Sequence, residues 1–203
     1  MEYNKTELCD LFIKYKSDKC PQILHSYSNE YYNLLNDIKD NVKNVIEIGI
    51  GNDELMKPIC GFSYEVGASL RAWRDFFNNA NIYGLDIRED VLFNENRINT
   101  FYTDQSKEIE LEKTIKNIKE FNNNESLEFD LIIDDGSHIV EHMLLSINTL
   151  AKHLKVGGIY IIEDIQHKDI NIFTNLKIDN FEIIKIHTGL NYWDDFVAYK
   201  KIK

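Results

Sequence analysis

Two apolar runs in this chain end in acids. Leu131-Ile132-Ile133 leads into Asp134-Asp135-Gly136-Ser137-His138, and Ile159-Tyr160-Ile161-Ile162 leads into Glu163-Asp164. Short apolar runs bounded by glycine and acids read as buried parallel strands. Open α/β sheets collect their ligands at the carboxyl ends of such strands. Asp135, His138, Glu163 and Asp164 are therefore expected at one rim. Three carboxylates suit a hard divalent cation such as Mg²⁺, and a histidine one turn away suits a general base. The set points to metal-assisted chemistry on a hydroxylated substrate. Asp and Ser are also favoured helix N-caps, so plain capping is the competing reading, strongest for Asp134.

A second group closes an earlier strand. Glu47-Ile48-Gly49-Ile50-Gly51 gives Gly-x-Gly without the third glycine of the dinucleotide fingerprint. Glycines there let a ligand approach the backbone. Asp86 ends the next strand, where an acid can bind both ribose hydroxyls, and Asp104-Gln105 ends the one after, where an adenine edge could be read. Glu47, just before the glycines, can meet an ammonium group. Ribose, adenine and an amino acid together spell S-adenosylmethionine rather than a pyrophosphate cofactor, unless these residues only punctuate strand ends.

The elements that must hold these groups alternate. Helical patterns cover residues 7–15 and 29–38, with a polar segment between them (Ser17-Asp18-Lys19-Cys20-Pro21, then His25-Ser26-Tyr27) that reads either as a lid or as a connector. Strands follow at 45–50, 81–85, 98–102, 129–133 and 158–162. Helices fall at 68–77, 106–121 (Ile109, Ile115 and Ile118 on its apolar face), 138–154 and 169–176, and a final antiparallel pair at 181–186 and 196–200. This is an α/β chain, a doubly wound and mostly parallel sheet with an antiparallel C-terminal pair. It divides into a helical cap over residues 1–40 and a Rossmann-like domain over residues 41–203.

Composition narrows the function classes. The 203 residues carry net charge −11 and no basic stripe, which argues against a nucleic-acid partner. Cys9, Cys20 and Cys60 have no metal or redox spacing, and an odd count without a framework fits a reducing compartment. The start of the chain lacks the apolar core of a signal peptide, and no apolar run approaches the roughly 20 residues of a membrane span. A cytoplasmic location is expected, and a homodimer is the expected assembly.

With these motifs in place, the chain resembles class I S-adenosylmethionine-dependent methyltransferases. More narrowly it is similar to the macrocin and mycinamicin sugar O-methyltransferases and the cephalosporin-hydroxylase-like group. The resembling stretches are Lys14-Tyr15-Lys16-Ser17-Asp18-Lys19, His25-Ser26-Tyr27, Val45 through Gly51, Gly67-Ala68-Ser69-Leu70-Arg71-Ala72-Trp73-Arg74, Ile82 through Ile87, Asp104-Gln105-Ser106, Ile132 through His138 and Ile161 through Asp164, in the family's order. The resemblance implies that Asp135, Glu163 and Asp164 are magnesium ligands and His138 the base. It places Glu47, Gly49, Gly51, Asp86 and Asp104 at the cofactor, with Gln105 and Ser69 as neighbours. Two departures are expected: the long N-terminal domain of the macrolide enzymes is lacking, and residues 52–65 insert between the glycine motif and Gly67. That insert is expected to shape an acceptor pocket.

The expected activity is methylation of a sugar hydroxyl, on a nucleotide sugar, a glycan or a natural product. Two vicinal oxygens chelating Mg²⁺ would acidify the hydroxyl and align it with the sulfonium methyl. A catechol-type acceptor would use similar chelate logic. An NAD-dependent oxidoreductase is disfavoured by the missing third glycine and the absence of a Tyr-x-x-x-Lys pair, and a non-catalytic cofactor-binding protein by the intact acid and histidine set. His142 reads as pocket-lining or packing, Trp73 as core, and Tyr192-Trp193-Asp194-Asp195 as an acceptor wall or a plain turn. His153, His167 and His187 read as surface or core residues.

Overall fold

The computed structural model describes residues 5–189 and 191–203. Strand β1 (Asn44–Ile48) sits at the centre of an eight-stranded sheet. Its companions are β2 (Asn81–Asp86), β3 (Asn94–Glu95), β4 (Ile98–Tyr102), β5 (Phe129–Asp134), β6 (Leu154–Ile165), β7 (Phe181–Thr188) and β8 (Asp195–Lys201), in the order β3-β4-β2-β1-β5-β6-β8-β7. The run β4-β2-β1-β5-β6 is parallel, whereas β8 pairs antiparallel with β6 and with β7. From β1 the chain steps outward to β2 and β4, then returns to β5 on the other side. That reversal is a topological switch point, and it opens a crevice at the carboxyl ends of β1 and β5.

Side chains alternate across the sheet. Val45, Leu131 and Ile133 join one buried cluster, while Ile46 and Ile132 join the other. The first cluster is covered by α1 (Glu7–Tyr15), α2 (Ser28–Leu35) and α4 (Ala68–Phe76), the second by α5 (Glu108–Phe121), α6 (Val140–Leu150) and α7 (Ile170–Thr174). Helix α1 starts at Thr6, whose hydroxyl accepts from the Cys9 amide, and stops at Lys16 in the left-handed region. Trp73 is fully buried, edge-on to Phe12 and to Tyr31. Leu8, Phe12, Tyr31 and Leu35 thus share one core with the sheet.

Several expected elements shift. Helix α6 begins at Val140 rather than at residue 138, because His138 takes φ 56° and cannot continue a right-handed turn. Strand β6 outruns its expected five residues at both ends, paired to β5 at Leu154 and to β8 at Ile165. On α5 Ile109, expected on the apolar face, is exposed, and Leu111 takes the core position beside Ile115 and Ile118. The 52–65 insert holds a short helix, α3 (Asp53–Cys60), started by the Asn52 side chain accepting from the Leu55 amide. Among the described residues no helix is long and apolar enough to cross a membrane.

Candidate active site

The crevice is built by close approach of two strand ends. The Asp135 amide donates to the Ile48 carbonyl at 2.9 Å, and Gly49 has φ +93°. A Cβ at Gly49 would stand 2.0 Å from the Asp135 carbonyl oxygen, so only glycine permits this contact. Beyond β5, Gln105 fixes the turn: its amide donates to the Asp134 carboxylate at 2.5 Å and its carbonyl accepts from the Ser137 amide at 2.9 Å. Burial pushes the Asp134 carboxyl up to about 7.

Two adjoining cavities lie along this rim. One, about 300 Å³, is lined by Gly49, Gly51, Asn52, Met56, Tyr64, Ser69, Asp86, Asp135, His138 and Asp164, among others. The second, about 260 Å³, is lined by Gly49, Asp86, Thr103, Asp104, Gln105, Ser106, Ser137 and His142, among others. Asp86 belongs to both and is itself held by the amides of Ile50 and Arg88, each at 2.9 Å. Asp104 is held well below the usual carboxylate range, at about 2, by hydrogen bonds from Lys107 and Ser106. His142, in the first turn of α6, joins the second cavity with Nδ1 2.9 Å from Ser137 Oγ. The insert contributes Asn52, Leu55, Met56 and Tyr64 to the first.

At the floor of the first cavity the ligand atoms of Asp135, His138 and Asp164 all lie within 4.8 Å of one another. His138 Nε2 is 3.2 Å from Asp135 Oδ1 and 3.7 Å from Asp164 Oδ2. Both His138 and Asp164 sit in the left-handed region, at φ 56° and φ 50°, conformations that cost non-glycine residues energy and concentrate at functional sites. Burial would lower the His138 pKa, but the hydrogen bond and charge of Asp135, with Asp164 and Asp134 behind it, raise it to about 9. The carboxylates suit a hard divalent cation, and Asp135 Oδ1 and Asp164 Oδ2 both face His138.

Glu163, expected as a third metal ligand, is buried: Tyr31 donates to one carboxylate oxygen, the Lys19 ammonium holds the other, and the side chain is 1% exposed. Glu47, expected at a ligand's ammonium group, does not line either cavity. It is fully buried, accepts from Ser69 Oγ at 2.9 Å, and has the Lys19 ammonium 3.4 Å away. Burial raises its carboxyl to about 7.

Lys19 is the residue that sequence reasoning left without a role. A lysine between Asp18 and Cys20 in a polar loop reads as a solvated charge, and no periodicity distinguishes it. The segment read as a lid or as a connector makes contacts with Asp164 and Asp194. His25 Nε2 lies 3.6 Å from Asp164, Tyr27 donates to Asp164 at 2.7 Å, and the Ser26 amide donates to Asp194 at 2.9 Å. Trp193, whose carbonyl accepts from Tyr27 at 3.1 Å, has its ring 6.0 Å from that of His138.

No family model matches the chain. It is 33% identical over 159 residues to an 8-demethyl-8-alpha-L-rhamnosyl tetracenomycin-C 2'-O-methyltransferase of Streptomyces olivaceus, covering 78% of this chain and 38% of that protein. It is 35% identical over 161 residues to a demethylmacrocin O-methyltransferase of Streptomyces fradiae, covering 79% of this chain and 37% of that one. The chain thus spans under two fifths of the length of these curated relatives. A solved MycE methyltransferase from the mycinamycin biosynthetic pathway, in complex with Mg, SAH and mycinamycin VI, matches 98% of this chain and 54% of its own, at 26% identity and a TM-score of 0.70. The chain has the Rossmann-like class I methyltransferase fold and resembles the macrocin- and mycinamicin-type sugar O-methyltransferases.

Proposed function

We propose that this protein is a Mg²⁺-dependent O-methyltransferase that moves the methyl group of S-adenosylmethionine onto a sugar hydroxyl. The observation that carries the reading is the placement of Asp135, His138 and Asp164 on the wall of a cavity that adjoins a second one across Gly49 and Asp86. One cavity takes the adenosyl group: Asp104, Gln105 and Ser106 meet the base edge and Asp86 the ribose. Gly49 and Gly51 let the cofactor's amino-acid end approach the backbone, with Ser69 nearby. The other cavity, lined by Gly51 and Ser69, takes that amino-acid end and the acceptor, against Trp193 and the insert helix.

Asp135 and Asp164 would hold the cation, which when bound acidifies a chelated hydroxyl. Asp135 orients His138, and the neutral imidazole accepts the hydroxyl proton as the new C–O bond forms and the C–S bond breaks. The neutral thioether that departs needs no acid. Without cation the carboxylates keep the imidazole protonated near neutrality. A cation held by the same carboxylates would offset that support and favour the neutral base.

The test is incubation of the protein with S-adenosylmethionine, Mg²⁺ and a panel of nucleotide sugars, glycosylated natural products and catechols, with mass detection of one added methylene. The reading expects a sugar-bearing product that EDTA suppresses. Methylation of the catechols alone overturns the acceptor class, and full turnover in excess EDTA overturns the role of the metal.

A further inference from the structure

The insert between Gly51 and Gly67 closes on itself at the end of β1. The Gly67 amide donates to the Ile50 carbonyl at 3.2 Å, and the Tyr64 amide donates to the Gly61 carbonyl at 2.9 Å. Helix α3 buries none of its own residues, and across residues 53–66 the one buried side chain is that of Tyr64, 4% exposed. Its hydroxyl is the nearest atom to where a Cβ on Gly51 would stand, 2.5 Å away, and Tyr64 lines the first cavity with Gly49, Gly51 and Ser69. That hydroxyl bonds to no described residue, whereas a phenol buried this far usually has a partner. Burial and the charge of Asp18 push its pKa well above the usual value, so it keeps its proton and stays a donor.

We propose that Tyr64 is a cofactor-binding residue whose hydroxyl donates to the carboxylate at the amino-acid end of S-adenosylmethionine. The inference rests on the reading above that the crevice at Gly49 and Gly51 takes that cofactor. Charge selects the carboxylate over the ammonium group beside it. The cavity wall carries Asp18, Asp86, Asp135 and Asp164, all acceptors that suit an ammonium group, and donors for a carboxylate are scarce. The Ser69 hydroxyl is given to Glu47 at 2.9 Å. The Arg88 guanidinium is held by Glu54 at 3.3 Å and by Asp90 at 2.7 Å. Tyr64 supplies a neutral donor directly over Gly51, which has no side chain to displace it. A few placed polar groups on a largely apolar wall are what orient a ligand, and here one of them comes from the insert.

The test is calorimetric titration of the wild type and of Tyr64→Phe with two ligands. One is S-adenosylhomocysteine, and the other is its decarboxylated analogue, which keeps the ammonium group. S-adenosylhomocysteine should bind Tyr64→Phe about 10-fold or more weakly than the wild type, the usual worth of a hydrogen bond to a charged group. The analogue should bind the two proteins within about 2-fold of each other, because the cycle isolates the contact between hydroxyl and carboxylate. Tyr64→Phe keeps the buried ring, so its thermal midpoint without ligand should match that of the wild type. Equal S-adenosylhomocysteine affinity in the two proteins, or an equal loss for both ligands, overturns the proposal. A lowered midpoint in Tyr64→Phe would mean that the hydroxyl is bonded within the fold, and overturns it as well. A wild type that binds neither ligand overturns the cofactor reading and this inference with it.

Discussion

His138 Nε2 stands 3.2 Å from Asp135 Oδ1, three residues before it in the chain, and the left-handed backbone at His138 is what folds the ring back onto that carboxylate. The contact couples an imidazole to charge on its neighbours. Its pKa is raised to about 9 by the Asp135 hydrogen bond against the opposing effect of burial. A raised histidine pKa contributes stability that is fully present below the unfolded value near 6.5 and is lost as pH rises through the folded value. The metal-free protein should therefore lose about 1–3 kcal/mol more between pH 6 and pH 9.5 than does His138→Gln, measured by urea unfolding. Equal losses in the two proteins would mean that the pair does not form.

The same coupling predicts a response to metal. With Mg²⁺ on Asp135 and Asp164, the His138 pKa should fall by at least about one unit, since the charges that raised it are compensated. Histidine NMR titrations with and without Mg²⁺ check this. An unchanged value would place the ion away from these carboxylates.

As a base, His138 should matter to turnover more than to binding. His138→Gln should cut kcat by about 10²–10⁴-fold, the usual worth of a positioned base, and leave acceptor KM little changed. The wild-type rate should fall as pH drops through the metal-bound imidazole pKa, because only the neutral ring accepts a proton. Near-normal turnover in the variant would reduce His138 to a turn residue before α6.

Gly49 bears on stability and site together. Its Cβ-to-be points at the Asp135 carbonyl from 2.0 Å, and its φ is +93°. Gly49→Ala should destabilise the protein by more than about 1–2 kcal/mol, the cost of forcing such a backbone and its neighbour apart. It should also weaken Mg²⁺ binding by moving Asp135. A wild-type thermal midpoint in Gly49→Ala contradicts the packing described.

The sheet was legible because its strands are apolar runs that end in polar residues, and each such end lies where the crevice opens. Gly49, Gly51, Asp86, Asp104, Gln105, Asp135, His138 and Asp164 all line the two cavities. What the sequence hid was direction. Glu163 and Asp164 are adjacent, and period-two alternation alone says only that they differ. Which one faces the cavity depends on φ 50° at Asp164 and on Lys19, which lies 144 residues away from Glu163 in the chain. Long-range ion pairs of this kind leave no local signal. The same holds for the start of α6, where an apolar helical pattern runs through a residue whose backbone cannot be helical.

The central claim, that the crevice at Gly49 and Asp86 is an S-adenosylmethionine site, is tested most directly by calorimetric titration with S-adenosylhomocysteine, alongside NAD, in the wild type and in Asp86→Ala. The account predicts one-to-one binding of S-adenosylhomocysteine, weakened by about 1–3 kcal/mol in Asp86→Ala through loss of a charged hydrogen-bond partner, and no binding of NAD. Tight binding of NAD with none of S-adenosylhomocysteine would contradict it.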